Sequence, residues 1–366
     1  MRLLRSLGAA CATALLVGVR FAAAAPVNEL ALSPEQHRAL DTKIEHIRQH
    51  ARVPGLAIGI VDDGVPVYAR GFGVRDLVTR QPVTTDTRFH IASISKTFTV
   101  TAVMQLIEQG KLHLNDKLER WLPPFKGSSI TLEELLTHTA GLDDWIDPEG
   151  ATQDWQVAAY VARVAKHHRD YPPGKGWAYT DADFNLLGAV IEAASSETFP
   201  DYLANHVFNQ AGLSRTTALL PPPDDDFAWP HIGEWRWRVR RAKTHPWDRV
   251  FIPSSGIEST VTDLLQWALV NLRRDPALLT PESYALMFKP RVETEWDDIS
   301  MGLGWQLEKR GKEWLPRHPG GDPGFHTLLQ LYPAHQRAIV ILSNGETTPR
   351  AQIRELIEQV LRGDTN

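Results

Sequence analysis

Cysteine is almost missing. One residue, Cys11, stands among 366, and it falls within the first 25. Whatever follows that segment has neither a disulfide framework nor a thiol nucleophile. Metal signatures are missing too: none of the fourteen histidines opens an H-E-x-x-H, and there is no cysteine cluster. No G-x-S-x-G elbow occurs, which leaves an α/β-hydrolase esterase without support. Positive charge is in deficit, with a formal net charge of −5, so the chain has no general electrostatic reason to seek nucleic acid or anionic lipid. Its apolar run near the N-terminus is too short to span a membrane.

What is present begins with that run. Arg2 and Arg5 precede Ala14-Leu15-Leu16-Val17, and Ala22-Ala23-Ala24-Ala25 follow. A basic start, an apolar stretch and small residues describe a secretory signal peptide over residues 1–24, cut after Ala24 because proline sits just beyond Ala25. Its removal takes Arg2, Arg5 and Arg20 and leaves a charge of −8. The expectation is an exported protein, periplasmic or secreted.

The remainder is punctuated clearly. Ser33-Pro34-Glu35-Gln36 offers an N-cap, a first-turn proline and a capping-box glutamine, followed by the stripe Leu40, Ile44 and Ile47. "GLAIGIVDDGVPVYARGFG" reads as two strands around Asp62-Asp63-Gly64. Residues 93 to about 290 are mainly helical, with Val157–Val164, Leu186–Ile191 and Leu264–Leu272 as apolar stripes. "FHTLLQLYP" and "AIVILSN" form a late hairpin, and Ile353, Leu356, Ile357 and Val360 mark a last helix. The expected fold is α/β plus all-α: residues 27–92 and 293–366 build an antiparallel sheet flanked by helices, and 93–292 form an inserted helical domain.

"HIASISKTFTV" then places a lysine where it does not belong. Val100, Val103, Met104 and Ile107 predict an amphipathic helix ending near Gly110. Lys96 would lie in its first turn, at the positive end of the macrodipole, one turn after Ser93. A serine needs an adjacent base to be a nucleophile. Lysine serves only when burial, a second cation or the helix end lowers its pKa from about 10.4. Ser93 at a helix start also offers its N–H to an oxyanion.

Alone the triplet S-x-x-K is weak. "PPGKGWAYTDADFNLLG" adds Tyr179 and Asp181 before a helix, and "RHPGGDPGF" adds His318, Gly320 and Gly321 at the start of the late strands. This order, with "VPGLAIGIV", "LLTHTAGL", "SSGIESTVTDLLQW" and "MGLGWQL" spread over roughly residues 35–362, resembles the serine β-lactamase and penicillin-binding-protein superfamily. Within it, the sequence is most similar to the branch of class C β-lactamases, D,D-carboxypeptidases and family VIII carboxylesterases. The resemblance implies Ser93 as acylated nucleophile, Lys96 and Tyr179 sharing proton transfer, and the Ser93 and Gly321 N–H groups as oxyanion hole. Asp181, His318 and Gly320 would support the substrate. It implies no cofactor and a small acyl substrate, with oligomeric state open.

Two departures favour an ester or amide substrate over an efficient β-lactamase. Asp181 stands where asparagine is usual, and a carboxylate accepts but cannot donate; it could pair with Lys96 and raise that pKa. Pro319 in His318-Pro319-Gly320 lacks a hydroxyl and an N–H. His318, charged only at lower pH, is expected to favour carboxylate-bearing substrates there. A D,D-carboxypeptidase, a D-amino-acid peptidase or a weak class C-like β-lactamase is the alternative, and a non-catalytic binder of cell-wall fragments the second. "EWRWRVRR" reads as a half-buried strand, with residues 221–252 a tryptophan-rich wall of the cleft. His138 is expected to be hydrogen-bonded within the helical region rather than to bind metal.

Overall fold

A computed structural model describes residues 32–143, 157–167, 171–221, 225–233 and 238–364. The expected leader, with Cys11, lies outside the described residues, as do 234–237 of the tryptophan-arginine stretch.

Helix α1 (Pro34–His50) starts at its capping box. Ser33 Oγ accepts from the Gln36 N–H at 3.1 Å, and Gln36 Oε1 accepts from the Ser33 N–H at 2.9 Å. Strands β1 (Gly55–Asp62) and β2 (Val65–Gly73) turn through Asp63 and Gly64, with φ of 49° and 72°. Two consecutive left-handed residues give a turn whose twist matches that of the strands. Strand β3 (Phe89–His90) leads through a 3-10 turn (Ala92–Ile94) into α2 (Ser95–Glu108). The helical region continues with α3 (Leu132–Leu136), α4 (Val157–Val164), α5 (Asp181–Ser195), α6 (Phe199–Leu203) and α7 (Asn209–Ala211). Strands β4 (His231–Gly233) and β5 (Val239–Arg241) pair with each other, and β6 (Glu258–Ser259) pairs with β3. Helices α8 (Val261–Arg273) and α9 (Pro281–Met287) follow.

The late strands are more numerous than the hairpin expected. β7 (Val292–Glu293), β8 (Ile299–Met301), β9 (Gln306–Arg310), β10 (Glu313–Asp322), β11 (Phe325–Tyr332) and β12 (Arg337–Ser343) precede α10 (Arg350–Leu361). One antiparallel sheet runs β2-β1-β12-β11-β10-β9-β8-β7, so the N-terminal hairpin closes onto the last strand. Ile58, Ile60, Ile339 and Ile341 meet α1 and α10 on one face, with Leu40, Ile44, Ile353 and Ile357. Ala57, Val340 and Leu342 meet α8 on the other, with Leu264 and Leu265. That second face is close: a Cβ at Gly59 would sit 2.8 Å from Val261 and 2.9 Å from Leu265. α8 thus covers the sheet although it belongs to the stretch 93–292.

α2 departs from its sequence pattern. Every residue from Ser95 to Leu106 is buried, so the helix is central rather than amphipathic. The 3-10 turn at its N-terminus packs against β10.

Candidate active site

Ser93 lies on the 3-10 turn rather than on α2 itself. The residue before it, Ala92, has φ of 49°. A left-handed alanine costs on the order of 1–3 kcal/mol and persists only where its surroundings enforce it. Here two bonds do so: the Ile91 N–H donates to the Ile257 carbonyl at 3.0 Å, and Thr327 Oγ1 donates to the Ile91 carbonyl at 2.8 Å. Strand β10 presses on the same turn through Gly320, where a Cβ would sit 2.5 Å from the Ile91 carbonyl oxygen and 2.1 Å from Thr327 Oγ1. Only glycine fits. Gly321, next along the strand, is exposed.

His318, Gly320 and Gly321 occupy the second half of β10, not the start of a strand pair. β9 pairs with β10 no further than Arg317, while β11 pairs with it through Asp322. The far side of residues 318–322 is therefore open to the turn that bears Ser93. An opened edge is also where a proline such as Pro319 can sit in a strand.

Lys96 is wholly buried. Its Nζ donates to Ser93 Oγ at 3.1 Å, to Asp181 Oδ1 at 2.5 Å and to the Ser254 carbonyl at 3.0 Å. Three acceptors match the three protons of an ammonium. The phenol of Tyr179 is within hydrogen-bonding reach of both Lys96 and Ser93. The Tyr179 ring centre lies 4.8 Å from Nζ. Asp181 opens α5, where the helix dipole favours a carboxylate. The structure thus brings Ser93, Lys96, Tyr179 and Asp181 together.

The sequence leaves two charge states open for Lys96, and its pairing with Asp181 decides between them. Burial alone would lower the Lys96 pKa, but Asp181 and then Tyr179 outweigh it and raise it above the ordinary lysine value. The lysine is not a destabilised ammonium; its carboxylate partner keeps it charged. Tyr179 is also raised, by burial, with the Lys96 charge pulling the other way. His318 is buried, and its Nδ1 donates to the Pro319 carbonyl at 2.9 Å. Burial, the Lys96 charge and Arg317 press its pKa down to about 3. The expected gain of a positive His318 between pH 5.5 and 7.5 is therefore corrected: the ring stays neutral through that range.

Several neighbours complete the site. His138, at φ of 59°, sets its Nδ1 2.9 Å from Asp183 Oδ2 and its ring centre 4.5 Å from that of Tyr179. Burial and the charges around it hold His138 well below its ordinary pKa. Trp296 lies 5.6 Å from the Tyr179 ring and 4.8 Å from that of Trp177. Ser254 and Ala92 fall inside the landmark stretches but contribute through the backbone, which leaves no side-chain signal in the sequence. Of the residues 221–252, Phe227, Trp229, His245 and Trp247 form an aromatic cluster that reaches Phe325. Among the described residues no helix is long and apolar enough to cross a membrane.

The chain is similar to known proteins over most of its length. A family model described as Beta-lactamase matches residues 40–362. Penicillin-binding protein 4* of Bacillus subtilis is 25% identical over 352 residues, covering 91% of this chain and 77% of its own. A D-aminopeptidase of Brucella anthropi is 27% identical over 299 residues, 78% of this chain, and the match spans about half, 55%, of that protein. The octameric penicillin-binding protein homologue from Pyrococcus abyssi superposes with a TM-score of 0.78 at 26% identity, covering 89% of this chain and 77% of that one. A class C β-lactamase has the same fold, with a TM-score of 0.78 at 19% identity, covering 89% of this chain and 96% of that one.

Proposed function

This chain belongs to the β-lactamase family of serine hydrolases, and from that premise we propose that it hydrolyses small, uncharged esters or amides through an acyl-enzyme on Ser93. The observation that carries this reading is the convergence of Ser93, Lys96 and Tyr179 from separate segments, with the Ser93 hydroxyl 3.1 Å from the lysine amine. Ser93 Oγ attacks the acyl carbonyl, and its proton passes through Lys96 and Tyr179 to the departing alcohol or amine. Water then adds to the ester, and the proton returns to Ser93. The N–H groups of Ser93 and Gly321 receive the oxyanion.

The raised pKa values of Lys96 and Tyr179 define the active form. At neutral pH both hold their protons, so the competent cluster of Lys96, Tyr179 and Asp181 is the one that has lost a proton. Activity therefore climbs with alkaline pH. Preference for uncharged substrates follows from β10, where neutral His318 and Pro319 supply neither a cation nor the usual donor for a carboxylate. A peptidase acting on D-amino-acid amides is the second reading, favoured by the likeness to the D-aminopeptidase. Export, with cleavage after Ala24, is part of the proposal and is checked by the mass of the mature N-terminus.

A fluorophosphonate probe and p-nitrophenyl acetate test the main reading. Labelling of the Ser93 peptide and ester turnover are expected, and Ser93→Ala abolishes both. No label and no turnover in the wild type would overturn the reading in favour of a cell-wall-fragment binder.

A further inference from the structure

A second group of ionisable side chains, two of them fully buried, gathers three residues upstream of the same serine. His90, the last residue of β3, is fully buried. Its Nε2 lies 2.6 Å from Asp322 Oδ2 and its Nδ1 3.4 Å from Glu258 Oε1. Glu258 faces His90 in the β3–β6 register, is itself fully buried, and accepts from Trp247 Nε1 at 3.0 Å. The other titratable ring nearby is His245, stacked 4.1 Å from Trp247, with Nε2 bonded to the Ala228 carbonyl. Burial lowers its pKa to about 4, so it is neutral. Arg241 is engaged with Asp76 and the Trp229 ring.

The positions of these residues in the chain matter more than their charges. His90 lies three residues before Ser93, and Asp322 directly follows Gly321. The two donors read above as the oxyanion hole are thus flanked along the chain by buried His90 and its half-buried partner Asp322. An imidazolium carries two N–H groups: that on Nε2 is hydrogen-bonded to Asp322, and that on Nδ1 faces Glu258 as an ion pair at 3.4 Å without a hydrogen bond, whereas a neutral ring has one N–H. Without its proton, the His90 ring would turn a lone pair on either Asp322 or buried Glu258.

We propose that His90, bridging Glu258 and Asp322, is a positioning residue that sets the separation of the Ser93 and Gly321 N–H groups. The inference rests on the acyl-enzyme reading of Ser93. Burial opposes charge on the ring, yet the hydrogen bond to Asp322 and the charges of Asp322 and Glu258 carry its pKa up to about 9. The bridge is therefore intact at neutral pH and opens in alkali. Activity that climbs as the Lys96–Tyr179 cluster loses a proton breaks off near pH 9.

The experiment uses the full chain with the fluorophosphonate probe, p-nitrophenyl acetate and NMR of the histidine rings. Wild-type His90 is expected to remain charged until about pH 9 and to titrate lower in Asp322→Asn. In His90→Gln the labelling rate and kcat fall about 10- to 100-fold with KM little changed, the effect of misplacing a reacting geometry. The break near pH 9 disappears in His90→Gln and moves to lower pH in Asp322→Asn. A ring neutral at pH 7.5 overturns the inference, as does His90→Gln labelling within twofold of wild type with an unchanged pH profile. Should His90→Gln not fold, an unshifted break in Asp322→Asn is decisive against it. An unlabelled wild type removes the acyl-enzyme reading and this inference together; a labelled wild type with an unaffected variant removes the inference alone.

Discussion

His90 and His318 are both sealed from solvent beside Ser93, yet one is held charged and the other neutral. Burial disfavours the charge on each. His90 sits between the carboxylates of Glu258 and Asp322, and His318 sits with the Lys96 ammonium and Arg317. Burial is the largest influence on each, and the companions decide whether it is outweighed, as at His90, or reinforced, as at His318. Lys96 obeys the same rule: fully buried, it remains an ammonium because Asp181 is 2.5 Å away.

That contrast can be broken at its centre. Lys96→Met takes away both the proposed proton-transfer partner of Ser93 and the cation that helps keep His318 neutral. Ester turnover should drop about a thousandfold, in the range of lost acid–base catalysis, while NMR shows the His318 pKa moving up toward its ordinary value. A smaller effect is expected of Asp181→Asn. With the carboxylate gone, burial governs Lys96, its pKa falls, and the alkaline climb of kcat/KM moves to lower pH by about one unit or more.

Stability against pH gives the finest comparison, because the two rings act at opposite ends of the scale. His90 has a folded pKa raised above its unfolded value of about 6.5, so its contribution is complete below that pH and lost as pH rises through about 9. Its ceiling is about 3 kcal/mol, from 1.36 kcal/mol per pKa unit. His318 has a lowered pKa, so the unfolded chain gains a proton that the fold refuses, and stability falls as pH drops from about 6.5 toward 3. Thermal melts should show His90→Gln flattening the alkaline decline and His318→Gln flattening the acid one. The ester rate of His318→Gln should stay within a few-fold of wild type and keep its profile between pH 5.5 and 7.5.

Elements with strong local signals were legible from the chain alone. α1 announces itself through Ser33 and Gln36, and the β1–β2 turn through Asp63-Gly64, because caps and left-handed turns are made by adjacent residues. β10 was not readable as a strand. "EWLPRHPGGD" holds two prolines and two glycines, and only β11 on one side and the Ser93 turn on the other make it one. α2 carries a helical period, but its burial on all sides comes from packing that no local pattern records. Ser93, Lys96 and Tyr179 were visible through motif order, and the structure sets them within reach of one another. The charge of Lys96 could be posed from sequence but not decided, since Asp181 competes with burial. Asp183 behind His138, and Glu258 beside His90, are joined to their partners across long stretches of chain and carry no spacing signal.

Because β1 finishes the sheet only by pairing with β12, and Gly320 must close on Ile91, a ribosome-bound chain that has released α2 owns a serine with nothing opposite it. The surroundings of that serine are therefore complete only once β10 has been made and has docked, late in the order of synthesis.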